Sequence, residues 1–290
     1  MKLKETISWL MGSLQRSLFP KLEEYWERPL TEKERQLVRI LEVVKVEKYV
    51  PRRASTQWFG RKLLEREAIA RAFVAKAVYT HPFTRTTIEA LNSGGNLRRI
   101  CGFERIGDIP SEATFSRAFA EFAQNDLGAR VHEALVEQYV KPELVGHISR
   151  DSTAIEGREK PIKKPEKEKP AARKRGRPRK GEARQPKEGK RLERQRGQSA
   201  EEALQELPVH CDVGVKKNSK GYKETWVGYK LHADVNDCGL SISVALTSAS
   251  LHDSQAAIPL MKMTSDRVDY LYDLMDAAYD ARHIYYYYVK

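Results

Sequence analysis

Apolar residues recur at helical spacing through the first half of the chain. Leu37, Ile40, Leu41 and Val44 fall on one helix face, as do Ile69, Phe73 and Ala77. Gly94 and Gly95 interrupt this pattern. Ser111 is placed to cap a helix whose core face is Phe115, Phe119 and Phe122, spaced i, i+4, i+7. Leu127, Val131 and Leu135 continue into a further helix, which Pro142 ends. Segments 96–102 and 112–123 have two readings. They form a helix-turn-helix with Thr114, Ser116 and Arg117 near the front of its second helix, or they pack as two bundle helices with their aromatics inside. Residues 1–145 are thus expected to form a helical domain, with DNA binding as one of its readings.

After residue 145 the period shortens. His147 to Ile155 is strand-like, with Asp151 closing its apolar part. Residues 225–235 and 240–247 read as strands joined by a turn at Asn236-Asp237-Cys238-Gly239. Residues 253–264 read as a helix capped by Asp253 or Ser254, with Ala257, Leu260 and Met261 on its inner face. A strand over 269–276 follows, closed by Asp276. Between the first and second strands, residues 156–208 are poor in aromatics and rich in Lys, Arg, Glu, Pro and Gly. Such a segment buries too little apolar surface to offset chain entropy, so it is expected to be a disordered insert. Without it the order is strand, strand, strand, helix, strand, the opening of a ribonuclease-H-like sheet in which the first and fourth strands are neighbours. The expected class is α+β: a helical domain at 1–145, then an incomplete ribonuclease-H-like mixed sheet at 146–155 and 209–290.

Charge sharpens this picture. The net charge is +12, and residues 158–200 hold 18 Lys/Arg against six Asp/Glu, so that one segment carries the whole excess. A polyanionic partner is expected, double-stranded DNA first, although a charge run also serves as a solvated linker. The three cysteines, Cys101, Cys211 and Cys238, form no C-x-x-C pair. A disulfide framework or cysteine zinc site is therefore not expected, and a reducing compartment is. The apolar run from Ile7 to Met11 is too short for a secretory signal, and no run approaches the ~18 apolar residues of a membrane span. The expected location is the cytoplasm, at the bacterial nucleoid.

Asp151 and Asp276 are the candidate catalytic and metal-binding residues. Two carboxylates at the ends of neighbouring strands offer hard oxygen ligands, which magnesium and manganese prefer. In two-metal phosphoryl chemistry one ion activates the attacking oxygen and the other stabilises the leaving oxygen. His252 is expected to orient local backbone, Asp280 to cap the next helix, and His232 and Asp234 to be ordinary strand positions.

Four segments carry a resemblance. Arg150-Asp151-Ser152-Thr153, Gly228-Tyr229-Lys230-Leu231-His232, Ala249-Ser250-Leu251-His252-Asp253-Ser254 and Met275-Asp276-Ala277-Ala278-Tyr279-Asp280 stand in that order. They resemble the motifs of insertion-sequence DDE transposases of the IS4/IS5 class, over about residues 110–282. The resemblance implies that Asp151 and Asp276 are the first and second catalytic aspartates. It also implies a two-metal site for Mg2+ or Mn2+, cutting at transposon ends, joining to target DNA, and a homodimer when complete. The family's catalytic Glu lies well downstream of the second Asp, whereas residues 277–290 hold Asp280 as their one acidic residue. The chain as given is therefore expected to be a fragment, an interrupted copy or the first half of a split transposase, and inactive in strand cleavage. The run Tyr285 to Tyr288 and the long basic insert also depart from the family.

Within the insert, Arg173, Lys174, Arg175, Gly176, Arg177, Pro178, Arg179 and Lys180 resemble an AT-hook. Gly allows close backbone approach, Pro keeps the chain extended, and the arginines suit a narrow A·T minor groove. Two alternatives to a transposase stay open: a non-catalytic DNA-binding remnant or regulator of transposition, and a metal-dependent nuclease of the same fold.

Overall fold

The computed structural model describes residues 26–51, 66–162, 190–217 and 220–288. The AT-hook-like segment 173–180 lies outside them. The chain divides into two compact units, Met1–Leu135 and Val136–Lys290.

The first unit is helical. Its described helices are α1 (Glu32–Val44), α2 (Arg66–Val78), α3 (Thr84–Ser93), α4 (Gly95–Cys101), α5 (Glu112–Gln124) and the first part of α6 (Leu127–Tyr139). Thr31 and Glu34 form a reciprocal capping box that starts α1. Leu37, Ile69, Leu91, Phe115 and Ala118 are fully buried in one core. Phe115 and Phe122 face that core as expected, but Phe119 does not: it is 60% exposed, its ring tilted against Phe73 with centroids 5.5 Å apart. Ser111 occupies the N-cap of α5, yet its hydroxyl meets the Thr114 hydroxyl at 3.2 Å instead of a helix N–H. The link from α4 to α5 runs over residues 102–111 with a 3-10 turn at Ile106–Asp108. The three- or four-residue turn of a helix-turn-helix is absent there.

The second unit is a mixed five-stranded sheet with helices, which agrees with the expected α+β class and ribonuclease-H-like order. Its strands are β1 (Val145–Glu156), β2 (Asp212–Lys217), β3 (Lys223–Asn236), β4 (Ser241–Ser248) and β5 (Tyr270–Met275). Long β3 pairs antiparallel with β1, β2 and β4, and β1 pairs parallel with β5. The expected adjacency of first and last strands is thus present. The β3–β4 hairpin turns where expected: Asn236 Oδ1 accepts from the N–H groups of Cys238 and Leu240, and Gly239 has φ 78°. At the far end of β3, Gly228 has φ 150°, and a Cβ there would lie 2.1 Å from the Ile155 carbonyl oxygen. Only glycine allows β1 and β3 to approach so closely.

Two expectations are corrected here. β1 does not stop at Asp151, because Thr153 and Ile155 carry it on to Glu156, paired with β3 throughout. Nor do the described residues 190–208 of the expected disordered insert lack structure, while 163–189 lie outside the described residues. Residues 190–208 contain α7 (Arg191–Gln195) and α8 (Ala200–Gln205), which lie against α9 (Ser254–Arg267). Lys262 of α9 donates to the carbonyls of Gln195, Arg196 and Gln198, and Gln195 Nε2 donates to the Gln255 carbonyl at 2.9 Å. Leu204 and Leu207 pack with Ala256 and Leu260. These long-range anchors order a segment whose own composition is too polar to do so. The chain ends, among the described residues, in α10 (Arg282–Tyr288).

Candidate active site

Side chains alternate along a strand, and residues directly paired across strands share a face. On β1 this separates consecutive residues. Ile148 and Arg150 are buried on the side covered by α9, while Asp151 is exposed on the other. The β1–β5 ladder ends at the pair Arg150 and Met275. Asp151 and Asp276 are the next residue of each strand. The pair therefore lies where the parallel ladder ends, not where β1 ends.

Both carboxylates are exposed and locally held. Asp151 Oδ1 accepts from the Ser152 N–H at 2.7 Å. Asp276 Oδ1 accepts from the Ala278 N–H at 2.9 Å, capping the 3-10 turn Ala277–Tyr279. Just behind them sits Tyr279, 3% exposed, with a buried hydroxyl that has no hydrogen-bond partner. Burial first, then the negative charges of Asp253, Asp151 and Asp276, push that hydroxyl well above the usual tyrosine range, against the pull of Arg150. The three aspartates thus act on one buried group. Among the described residues no set of three or more His, Cys, Asp or Glu is arranged to hold a metal ion. Asp151 and Asp276 remain the exposed oxygen donors that could meet a hard cation at this corner.

The buried side holds an ionic cluster. Arg150 Nε and Nη2 fork onto Asp234 Oδ1 and Oδ2 at 2.7 and 2.5 Å. Arg150 Nη1 lies 3.1 Å from Asp273 Oδ1 and 3.4 Å from Met275 Sδ. Thr264 of α9 donates to Asp234 Oδ2 at 2.6 Å and meets Ser243 Oγ at 2.9 Å. Burial pushes the Asp234 carboxyl up, while Arg150 and the Thr264 hydroxyl pull it down. Asp234 is therefore no ordinary strand position but the anchor of a buried guanidinium.

His232 is likewise more than a strand residue. It is fully buried, its Nε2 meets Thr247 Oγ1 at 2.9 Å, and burial pushes its pKa down to about 4. It is neutral at pH 7. His252, expected to orient local backbone, meets a side chain instead: its Nδ1 lies 2.9 Å from Ser254 Oγ in the turn before α9. Asp253, one of the two candidate caps, makes no capping bond. It pairs instead with Lys230 at 2.8 Å, and Lys230 also donates to the Leu251 carbonyl. Asp280 lies exposed between the 3-10 turn and α10.

Sequence reasoning missed Arg150, Tyr279 and the Lys230–Asp253 pair. For Arg150 a signal existed: beside an exposed Asp in a strand, alternation puts a charge on the buried face, and a buried charge requires a partner.

Two family models match the chain. Residues 25–121 match the family described as Transposase domain (DUF772), and residues 147–290 match Transposase DDE domain. The class defined by fold and matches is that of enzymes that move DNA segments. The chain belongs to the insertion-sequence DDE transposases, and its function is DNA transposition. DNA binding and the use of divalent metal ions are general to that family. No curated protein and no solved structure matches the chain. Among the described residues no helix is long and apolar enough to cross a membrane.

Proposed function

We propose that Asp151 and Asp276 are two carboxylates of the transposase's metal site, acting on DNA held partly by the basic insert. The observation that carries this reading is the end of the β1–β5 ladder at Arg150 and Met275, which makes the two exposed aspartates the next residue of each strand. Oxygen donors on neighbouring strands suit Mg2+ or Mn2+, whose binding would supply charge stabilisation for phosphoryl transfer. The chain's own part is to hold the carboxylates: the local N–H donors fix one oxygen of each, the sheet fixes the Asp151 backbone, and Asp276 is held just past β5 by the 3-10 turn it caps. The described residues bring no third carboxylate to the pair.

The proposed substrate is double-stranded DNA, transposon ends and target, bound by a homodimer at the bacterial nucleoid. Arg173, Lys174, Arg175, Gly176, Arg177, Arg179 and Lys180 are the proposed minor-groove contacts, supported by the sequence alone. A second reading, a DNA-binding regulator without catalysis, draws on the same basic segment.

The test is strand cleavage of DNA carrying the element's ends, with Mg2+ or Mn2+, comparing the chain with Asp151→Asn. Metal-dependent cleavage lost in Asp151→Asn supports the site. Cleavage unaffected by that change contradicts it. Salt-sensitive DNA binding without cleavage, together with Mn2+ binding that Asp151→Asn does not weaken, supports the second reading; absence of cleavage alone is what a pair lacking its third carboxylate also predicts.

A further inference from the structure

We propose that Arg150 is the positioning residue of the carboxylate pair: its buried fork fixes β1 against β5 so that Asp151 and Asp276 face one cation. The inference rests on the reading of that pair as a metal site.

A parallel ladder does not choose its own register, since its hydrogen bonds repeat along both strands. Register is set by side chains, chiefly by apolar residues that must stay on the core face. β5 supplies little of this, because Leu271, Tyr272 and Leu274 are each at least half exposed. A slip of two residues would keep every side chain on its own face, yet move Asp276 about 6.6 Å along β1. Two ions about 4 Å apart do not tolerate that displacement.

What distinguishes the observed register is Arg150. Its guanidinium reaches Asp273 and Met275 on β5 while its fork is held by Asp234, directly opposite it on β3. Thr264 ties the same carboxylate to α9. A two-residue slip would take Asp273 away from the guanidinium and leave a carboxylate buried without its counter-charge. Fixing register is the best-attested use of buried polar groups, because their net contribution to stability is small while the penalty for mispairing is large. The cluster lies one residue from each aspartate, on the opposite face, so Arg150 touches neither substrate nor metal and acts through the backbone.

The test measures Mn2+ affinity of the full chain from the free Mn2+ electron paramagnetic signal, alongside the metal-free melting temperature. Three variants are compared with the parent: Arg150→Lys, which keeps the charge and loses the fork; Asp273→Asn, which weakens only the β5 arm; and Arg150→Met with Asp234→Leu and Asp273→Asn, which replaces the cluster by mostly apolar groups. The expected result is a loss of Mn2+ affinity of roughly 10- to 100-fold in each variant that folds. The loss persists in the triple variant even if its melting temperature matches the parent's. Parental Mn2+ affinity in any folded variant overturns the proposal and leaves the cluster a purely structural element. If all three fail to fold, the cluster is required for folding itself and the positioning role is likewise overturned. Asp151→Asn separates the two claims: affinity lost there but kept in Arg150→Lys sinks only the positioning role, whereas affinity kept in Asp151→Asn sinks the carboxylate pair.

Discussion

The two faces of β1 handle charge in opposite ways. Under α9, Arg150 is 2% exposed and its partner Asp234 is fully buried, with hydroxyls of Thr264 and Ser243 completing the cluster. On the other face Asp151 is exposed, and its described hydrogen bond is to its own neighbour's N–H. The residues that share this open face through pairing, such as Val244, Leu246 and Leu274, are 41 to 50% exposed. A buried charge must be paired where it stands. An exposed carboxylate can keep its lone pairs for a ligand. One strand thus carries a fixed ionic lock and an accessible acidic residue, consecutive in sequence and separated only by the alternation of the pleat.

Breaking the buried side has the largest expected effect on stability. Arg150→Met leaves Asp234 and Asp273 buried without their cation, a cost of about 3–5 kcal/mol. In a unit of this size the melting temperature should fall by on the order of 10 °C, read by circular dichroism. A drop of a degree or two would mean the cluster is solvated and the contrast between faces is false.

His232 gives the buried side a pH dependence. Its folded pKa of about 4 lies below the ordinary imidazole value of 6.5, so the folded state binds fewer protons than the unfolded one. The stability is fully present above pH 6.5 and is lost as pH falls from there towards 4, by up to about 3 kcal/mol. Urea denaturation at pH 7 and pH 4.5 measures it. His232→Gln, which does not titrate, should show a clearly smaller difference between the two pH values; an equal difference would place the acid sensitivity elsewhere.

Changes on the open face should cost least. Asp151→Asn and Leu274→Ser should each alter metal-free stability by no more than about 0.5 kcal/mol, as exposed positions do. A larger loss in the same denaturation series would show that this face is packed against something in the native protein.

The contrast also explains what was legible in the sequence. Helical periodicity located α1, α5 and α6, because local spacing alone fixes an amphipathic face; the same spacing found α2, but Ala77 of the face expected there is exposed. Alternation and turn chemistry located β3, β4 and β5. The aspartates were read as the residues closing two strand-like runs, their neighbourhood from the order of the strands, and the four motifs pointed to the same pair. The rest depended on contacts far apart in sequence. β2 was missed because Asp212 to Lys217 has a glycine at its centre; it is held by pairing with β3 and by Trp226 lying over Gly214. The helices at 191–205 were hidden because their anchors, Lys262 and Gln255, lie some 60 residues away. Arg150 looked like a motif residue because its partner Asp234 is 84 residues distant. Phe119 kept helical spacing but sits beyond the edge of the core, a distinction that spacing cannot make.

The central claim, that Asp151 and Asp276 share a cation, is tested most directly by paramagnetic broadening of backbone amide signals on adding Mn2+ to the full chain. The account predicts broadening centred on Ser152, Thr153, Ala277 and Ala278, abolished in both Asp151→Asn and Asp276→Asn. Broadening centred elsewhere, or unchanged in either variant, would contradict it.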